Sequence, residues 1–464
     1  MLKRTRSFLV LVMLLMTVTM SAQVTTATMS GKVTAQDEPI IGATIVAIHE
    51  PSGTRYGTVT NVSGQFNLQG MRTGGPYKVE ISYVGYQTAI YKGINLLLGE
   101  NYVLNVSLKE SSELLDEVVV TASKESNMKS DRAGAIMNAN RDMISNTPTI
   151  SRSISDIMRL SPQGADVGNG FAVGGGNYRQ SFVTVDGAAF NNTFGLGGNL
   201  PANGSPISLD ALEQVTVAVT PFDVRQSGFT GGAINAVTRS GDNQFRGTAY
   251  MYFNNENLKG SKVDDYELLR SKAQYYTYGA SFGGPIIKDK LFFFVNGEYE
   301  DNVTAGSNYR PRTALGESYS GGNIHRPLQS DMDDMRGFLL NKYNFDPGKY
   351  NDYSTDTPAY RVMARVDWNA NQNNKVSFRF TKTHTKDSNF PTSSVSPLST
   401  SALYPGGTST EVIDGKPVGT IAPGQGRTSK YALSFSNSNY YQVRDFTSVA
   451  GEWNSRMAQG AMNN

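Results

Sequence analysis

No cysteine occurs among the 464 residues, and histidine and tryptophan are scarce, at three and two. Without thiols the chain has no disulfide staple, no thiolate nucleophile and no thiolate metal site. The histidines, His49, His325 and His384, lie far apart in sequence, and His49-Glu50 is an adjacent pair rather than one at zinc-ligand spacing. No Ser/His/Asp set can be assembled from them, so neither a hydrolase nor a zinc peptidase is expected, and no cofactor or metal either. An excess of one charge is also missing: 42 Lys+Arg stand against 40 Asp+Glu, a net +2 that gives no basis for a nucleic-acid partner. Beyond the N-terminus no stretch approaches the ~20 apolar residues of a transmembrane helix. Any entry into a membrane would be as β-structure.

The N-terminus itself reads as a cleaved signal over residues 1–22. Lys3, Arg4 and Arg6 precede an almost unbroken apolar run from Phe8 to Met20, and Ser21-Ala22-Gln23 supplies a small residue at the cleavage point. Met20 departs from the alanine usual three residues before cleavage. The mature chain is therefore expected outside the cytoplasm. What remains is rich in Gly (47), Tyr (24) and Phe (21), the composition of turn-rich β-structure, and long enough for several modules.

From residue 28 to 109 short alternating strands are separated by turn residues. Pro39 to Ala47, Gln65-Phe66-Asn67-Leu68, Tyr77 to Tyr83 and Tyr102 to Leu108 are the clearest. This spacing predicts a small β-sandwich. The motif order Gly-Ala-Thr-Ile-Val (Gly42–Val46), Gly-Gln-Phe-Asn-Leu (Gly64–Leu68) and Ile-Ser-Tyr-Val-Gly-Tyr (Ile81–Tyr86) resembles the carboxypeptidase regulatory-like domain, which is structural rather than catalytic.

Asp116-Glu117-Val118-Val119-Val120-Thr121-Ala122 follows, a strongly β-prone run with an acidic start. No hairpin partner is evident for it. A strand of this kind either joins another protein's sheet by β-augmentation or serves as an edge strand of a neighbouring domain, and the residues alone leave both open.

Residues 128–241 mix a predicted short helix, Ser151 to Leu160 with Ile154, Ile157, Met158 and Leu160 on one side, with Gly174-Gly175-Gly176-Asn177 and Gly195-Leu196-Gly197-Gly198. Such glycines permit left-handed backbone and close approach. A flexible surface loop is the plainer alternative for Gly174 to Gly176, and a phosphate cradle ranks behind both because no strand, Gly-loop, Lys-Ser/Thr order is present. Three pieces, Val185-Asp186-Gly187, Leu212 to Val217 and Gly231 to Thr238, resemble the plug of TonB-dependent outer-membrane transporters, and Leu115 to Ala122 resembles that family's energy-coupling box in its SusC-like and Oar-like branches.

From 245 to 464 the pattern is barrel-like. Val362, Ala364, Val366 and Trp368 alternate with Arg361, Met363, Arg365 and Asp367, and Val376, Phe378 and Phe380 with Ser377, Arg379 and Thr381. Lipid outside and plug or water inside produces this period of two, although a soluble sandwich produces it as well. Further strands are expected at Phe245–Asn254, Gln274–Phe282, Leu291–Glu300, Lys430–Asn439 and Gln442–Trp453, with a tight turn at Asp289-Lys290 and long loops from Asp301 to Thr357 and Lys386 to Thr428. The block from Gly283 to Phe294 resembles the Oar-like branch. Asp331, Asp333 and Asp334 read as a solvated loop, lacking the glycine and glutamate of an EF-hand. Tyr275, Tyr276 and Tyr278 fit either an interfacial girdle or a ligand vestibule.

The expected architecture is thus mainly β: signal peptide, small β-sandwich, box, α+β plug, then the first strands of an antiparallel outer-membrane barrel. Roughly seven candidate strands against the family's about 22 imply the N-terminal part of a longer transporter. The resemblance implies outer-membrane nutrient import, of a glycan, peptide or chelate. It further implies TonB with ExbB and ExbD as partner on Asp116, Glu117, Val118, Val119, Val120, Thr121 and Ala122, outer-membrane lipid around the barrel, and in the SusC-like case a surface lipoprotein lid. The rival expectation is a surface or secreted β-rich adhesin.

Overall fold

The computed structural model describes residues 25–110, 118–121, 136–149, 152–167, 170–192, 200, 205–219, 229–258, 260, 262–263, 266–267, 272–306, 309–319, 323–390, 412–413, 416–417 and 432–455. The signal, Asp116, Glu117, Ala122 and the Gly195–Gly198 loop lie outside these residues.

The first unit is a two-sheet sandwich. Strands β1 (Ala27–Ala35), β2 (Glu38–Pro39), β3 (Thr44–His49), β4 (Thr54–Val59), β5 (Gln65–Met71), β6 (Gly74–Ser82), β7 (Ala89–Leu96), β8 (Asn101–Val103) and β9 (Val106–Ser107) form it. One sheet runs β2-β1-β5 with β8 and β9 parallel to β1; the other runs β7-β6-β3-β4. Alternate residues of both sheets, among them Met29, Val33, Ile45, Leu68, Tyr77, Val79 and Ile81, interlock in a core closed to water. His49 falls in the same register and is buried, its Nδ1 2.7 Å from Ser52 Oγ and its ring 5.0 Å from Tyr77. Strand β10 (Val118–Thr121) lies parallel to β7 at the edge of the second sheet.

The middle unit comprises β11 (Ile136–Ala139), α1 (Arg141–Asn146), α2 (Ile154–Met158), β12 (Gly164–Asp166), β13 (Phe171–Val173), β14 (Phe182–Val185), β15 (Ala188–Ala189), β16 (Leu212–Ala218) and β17 (Ala233–Thr238). Its main sheet runs β11-β16-β17-β14-β15. The expected helix is shorter than its sequence pattern: Ile154, Ile157 and Met158 are buried, whereas Leu160 lies beyond its end and is exposed. Gly174 and Gly175 do adopt left-handed backbone, at φ +65° and +76°.

Beyond it are β18 (Arg246–Asn255), two-residue β19 (Lys262–Val263) and β20 (Tyr266–Glu267), β21 (Gln274–Ile287), β22 (Leu291–Ala305), β23 (Arg310–Arg312), β24 (Ile324–Leu328), α3 (Gln329–Tyr343), β25 (Ser354–Asp356), β26 (Ala359–Asn369), β27 (Asn374–Asn389), the short pair β28 (Val412–Ile413) and β29 (Lys416–Pro417), and β30 (Tyr440–Ser455). The long strands make an all-antiparallel sheet, β18-β21-β22-β26-β27-β30, with β25 added beside β22. It is open: among the described residues β18 and β30 do not pair with each other. The turn at Asp289-Lys290 is present, with Asp289 at φ +62°.

Two expectations fail here. The Lys430–Asn439 strand does not form; its described part, 432–439, is irregular with one 3-10 turn at Ser436–Ser438. The loop after β22 instead contains a four-turn helix, α3, which holds Asp331, Asp333 and Asp334. Helix α3 was hidden because it buries only Met332, so no apolar stripe marks it. Its ends are nonetheless defined, by Asp331 in the first turn, Lys342 in the last and Asn344 in a left-handed cap at φ +49°. Among the described residues no helix is long and apolar enough to cross a membrane.

Candidate functional site: a charged plug interface and the box strand

The long sheet wraps the middle unit, and its period of two decides what each face meets. On β26 the odd-numbered Arg361, Met363 and Arg365 are buried against the middle unit, while Val362, Val366 and Trp368 face outward and are exposed. The same holds on β27, where Arg379, Thr381 and Thr383 are buried, and on β22, where Phe292, Phe294, Asn296 and Glu298 are. The outward row continues through Phe282, Val295, Tyr299, Phe378, Val443, Val449 and Trp453. Tyr276 and Tyr278 belong to that row, stacked 6.3 Å apart, with Phe253 6.0 Å from Tyr276. Tyr275 shares the inward face with buried Thr277. The tyrosine cluster is thus divided between the two readings.

Three barrel-side arginines organise the inner face. Arg361 binds Glu298 at 3.0 Å and Glu300 at 2.9 Å, and its Nε donates to the backbone carbonyl of Ser205. Glu298 also accepts from Ser208 of the middle unit at 2.9 Å and from Tyr250 at 2.6 Å. The Arg152 guanidinium lies over the rings of Tyr250 and Tyr252, 4.7 and 4.3 Å from their centroids. Arg365 donates to the carbonyl of Thr238 at 2.7 Å and pairs with Asp367 at 2.8 Å and Asp186 at 3.6 Å. Arg379 donates to the Asp186 carbonyl and pairs with Glu452 at 2.6 Å.

Asp186 sits at the centre because the Val185-Asp186-Gly187 turn bends sharply, with φ +50° at Asp186 and +80° at Gly187. Its carboxylate accepts from the Thr238 N–H at 2.9 Å and from the Thr238 hydroxyl. Asp210 makes a second crossing: it accepts from Thr248 at 2.6 Å and lies beside Arg141 and Arg239. Burial alone would raise its pKa, but hydrogen bonds from Ser281 and Thr248 and the two guanidinium charges outweigh that and hold it below the ordinary carboxylate range.

Buried ion pairs contribute little net stability relative to apolar packing, because each charge gives up its hydration to enter. An interface made of them is specific in register yet separable once water reaches it. Apolar contact crosses the interface too: Phe294 and Met363 of the long sheet join the middle unit's core, and Phe446 packs on Phe190 at 4.4 Å.

The sandwich docks where the sheet has its short turns. Lys375 Nζ lies 3.0 Å from the Tyr56 ring centroid, Asn369 Nδ2 donates to Thr54 Oγ1 at 2.9 Å, and Thr25 Oγ1 donates to Glu452 at 2.8 Å. Asn243, on the connection from β17 to β18, ties the sandwich to a barrel turn: its N–H donates to the carbonyl of Pro51 at 3.0 Å and its side chain binds Asp289 at 2.7 Å. A Cβ on Gly53, at φ +64°, would strain the backbone and stand 2.2 Å from Asp289 Oδ1, displacing that side chain.

Of the seven box residues expected to act, Val118 to Thr121 are placed as β10, paired with Ala89, Ile90, Tyr91 and Lys92. In this structure that run is an edge strand of the second sheet. The charged layer was not foreseen as a site. Its signal was available, since Arg361, Arg365 and Arg379 recur on the polar face of neighbouring strands.

Short inter-strand turns on one side, long connections on the other, an apolar outer row and a polar inner face define an outer-membrane β-barrel class of protein. The comparisons agree. Residues 28–109 match the carboxypeptidase regulatory-like domain and residues 237–415 the outer membrane beta barrel domain. The TonB-dependent transporter Oar of Myxococcus xanthus is 27% identical over 54% of this chain and 22% of its own length. The TonB-dependent receptor SusC of Bacteroides thetaiotaomicron is 29% identical over 55% of this chain and 24% of its own. Among solved structures, the outer membrane transporter YddB from Escherichia coli covers 56% of this chain and 34% of that chain, at 12% identity and TM-score 0.40. The siderophore receptor PirA from Acinetobacter baumannii covers 54% and 31%, at 16% and 0.37. Over about half of its length the chain is thus similar to TonB-dependent transporters and receptors, and its match to the outer membrane beta barrel domain places it in the outer membrane. It spans under a quarter of the length of the curated relatives it matches.

Proposed function

We propose that this protein is part of an importer that takes a nutrient, a glycan, peptide or chelate, across the outer membrane. Ligand bound on the long-loop side loosens the charged plug interface. TonB, energised through ExbB and ExbD by the proton motive force, pairs with the main chain of Asp116 to Ala122 and pulls the plug aside. The observation that carries this reading is the position of β10: a short strand on a domain that docks at the short-turn end of the barrel, the periplasmic side of such proteins. A plug whose interface with the sheet is rich in ion pairs fits a part that must move. The exposed row from Phe282 to Trp453 argues against a water-soluble adhesin.

Val119→Pro tests the box. Proline removes a backbone donor, so the full-length variant should bind ligand at the cell surface normally while uptake falls at least tenfold. Normal uptake would remove the box from the mechanism. Recovery of a lipoprotein with the purified receptor would distinguish SusC-like pairing from a receptor that works alone.

A further inference from the structure

We infer that the second sheet of the regulatory-like domain is part of the partner's docking surface: the periplasmic partner adds its strand to the outer edge of β10 while β10 stays seated on β7. The inference rests on the box reading above and deepens it.

Three observations carry it. First, β10 is an edge strand. The sheet order is β10-β7-β6-β3-β4, so among the described residues β7 is its one neighbour in the sheet. In a parallel pairing, alternate residues direct both N–H and C=O to the neighbour and the others direct theirs away. Half of the β10 backbone is thus committed to β7, and the other half presents a row that a strand from another protein can complete.

Second, the seat is built to a definite length. Upstream of it the sandwich closes on itself: Gln87 N–H donates to the Lys109 carbonyl at 2.9 Å, and Tyr86 bridges Glu110. Ala89 to Lys92 then pair with Val118 to Thr121, and Gly93, at φ +79°, turns β7 out of that line. Among the described residues the seat is four residues long.

Third, the sheet faces two ways. Its far edge, β4, carries the residues that meet the barrel turns: Thr54 on Asn369, and Tyr56 under Lys375. At about 4.8 Å per strand, β10 lies on the order of 19 Å across the sheet from that contact. The free edge of the box is therefore the edge turned from the rim. A strand added there would extend one continuous sheet, partner-β10-β7-β6-β3-β4, and a pull on it would pass through the sandwich to its contacts with Asn369, Lys375 and Asn243.

The opposing arrangement is a masked box, which must leave β7 before the partner can bind. A disulfide separates the two, and no native cysteine among these 464 residues competes with it. Thr121 and Lys92 are Cα partners, and Lys92 is exposed to oxidant. Adjacent parallel strands bring Cα atoms within disulfide range. The full-length receptor carrying Thr121→Cys and Lys92→Cys should cross-link on oxidation and bind the purified periplasmic domain of TonB within about threefold of its reduced form. Failure to cross-link, or binding at least tenfold weaker when oxidised and restored by reductant, overturns the composite sheet and leaves the box reading intact. If the unmodified receptor and its Val119→Pro variant capture the TonB domain equally, the box reading falls and takes this inference with it.

Discussion

Strands β6 and β26 have the same period and opposite insides. On β6, Tyr77, Val79 and Ile81 are closed to water, and Lys78 and Glu80 form a half-exposed pair at 2.7 Å. On β26, Arg361 is 3% and Arg365 7% exposed, while Trp368 is 50% exposed. The sandwich follows the rule for water: apolar side chains gain about 25 cal/mol per Å² by leaving it, and a surface pair such as Lys78–Glu80 adds about 0–1 kcal/mol. The barrel reverses the rule because its outer solvent is hydrocarbon and its inner neighbour is a polar plug. Burial as such therefore does not identify a hydrophobic core in this molecule; what lies beyond each face does.

The largest effect is expected from breaking the barrel's inner layer. Arg361→Met leaves Glu298 and Glu300 without their cation, at a cost of about 3–5 kcal/mol. Urea unfolding of the full-length protein in lipid vesicles measures it, and a loss below about 1 kcal/mol would show the layer to be hydrated rather than closed.

In the sandwich the corresponding test is apolar. Leu68→Ala opens a cavity in a site with no exposure and should cost about 2–5 kcal/mol in the same assay. The outward face sharpens the contrast: Val362→Arg should cost about 2–4 kcal/mol in vesicles if the residue sits near the midplane, and much less in a water-filled detergent rim. Equal effects in both media would mean that this face does not meet lipid.

The smallest effect is a pH dependence. Burial, followed by the nearby charges of Arg72 and Lys375, holds His49 well below the usual histidine range in the folded state. The unfolded imidazole titrates near ~6.5, so the unfolded chain binds the extra proton first. Stability is then complete above about pH 6.5 and declines as pH falls from there toward the depressed folded value, by up to about 1.4 kcal/mol per pH unit. His49→Gln should flatten the difference between urea midpoints at pH 7.5 and 5.5 relative to the parent. An unchanged difference would assign it to other groups.

Much of this was legible in advance. The alternation over Arg361 to Trp368, the tight turn at Asp289-Lys290 and the sandwich strands each depend on neighbours in sequence, and each stands as expected. Helix α3 and the irregular stretch at 432–439 were missed for related reasons. The helix shows no stripe because it scarcely packs, and the described part of the Lys430–Asn439 run, 432–439, pairs with no strand among the described residues. The charged layer was half visible: its arginines stood out on one face, but their partners Asp186, Glu298 and Glu452 come from other elements.

By itself, then, the sequence determined the order of the parts, the absence of thiol chemistry and which residues share a face, because strand periodicity is set by the local pleat. Only the tertiary structure decided which face meets lipid, which acid neutralises each buried arginine, and that the Val118–Thr121 run rests on β7. Those are matters of pairing between distant segments, and a backbone strand carries no local mark of the neighbour that will satisfy it.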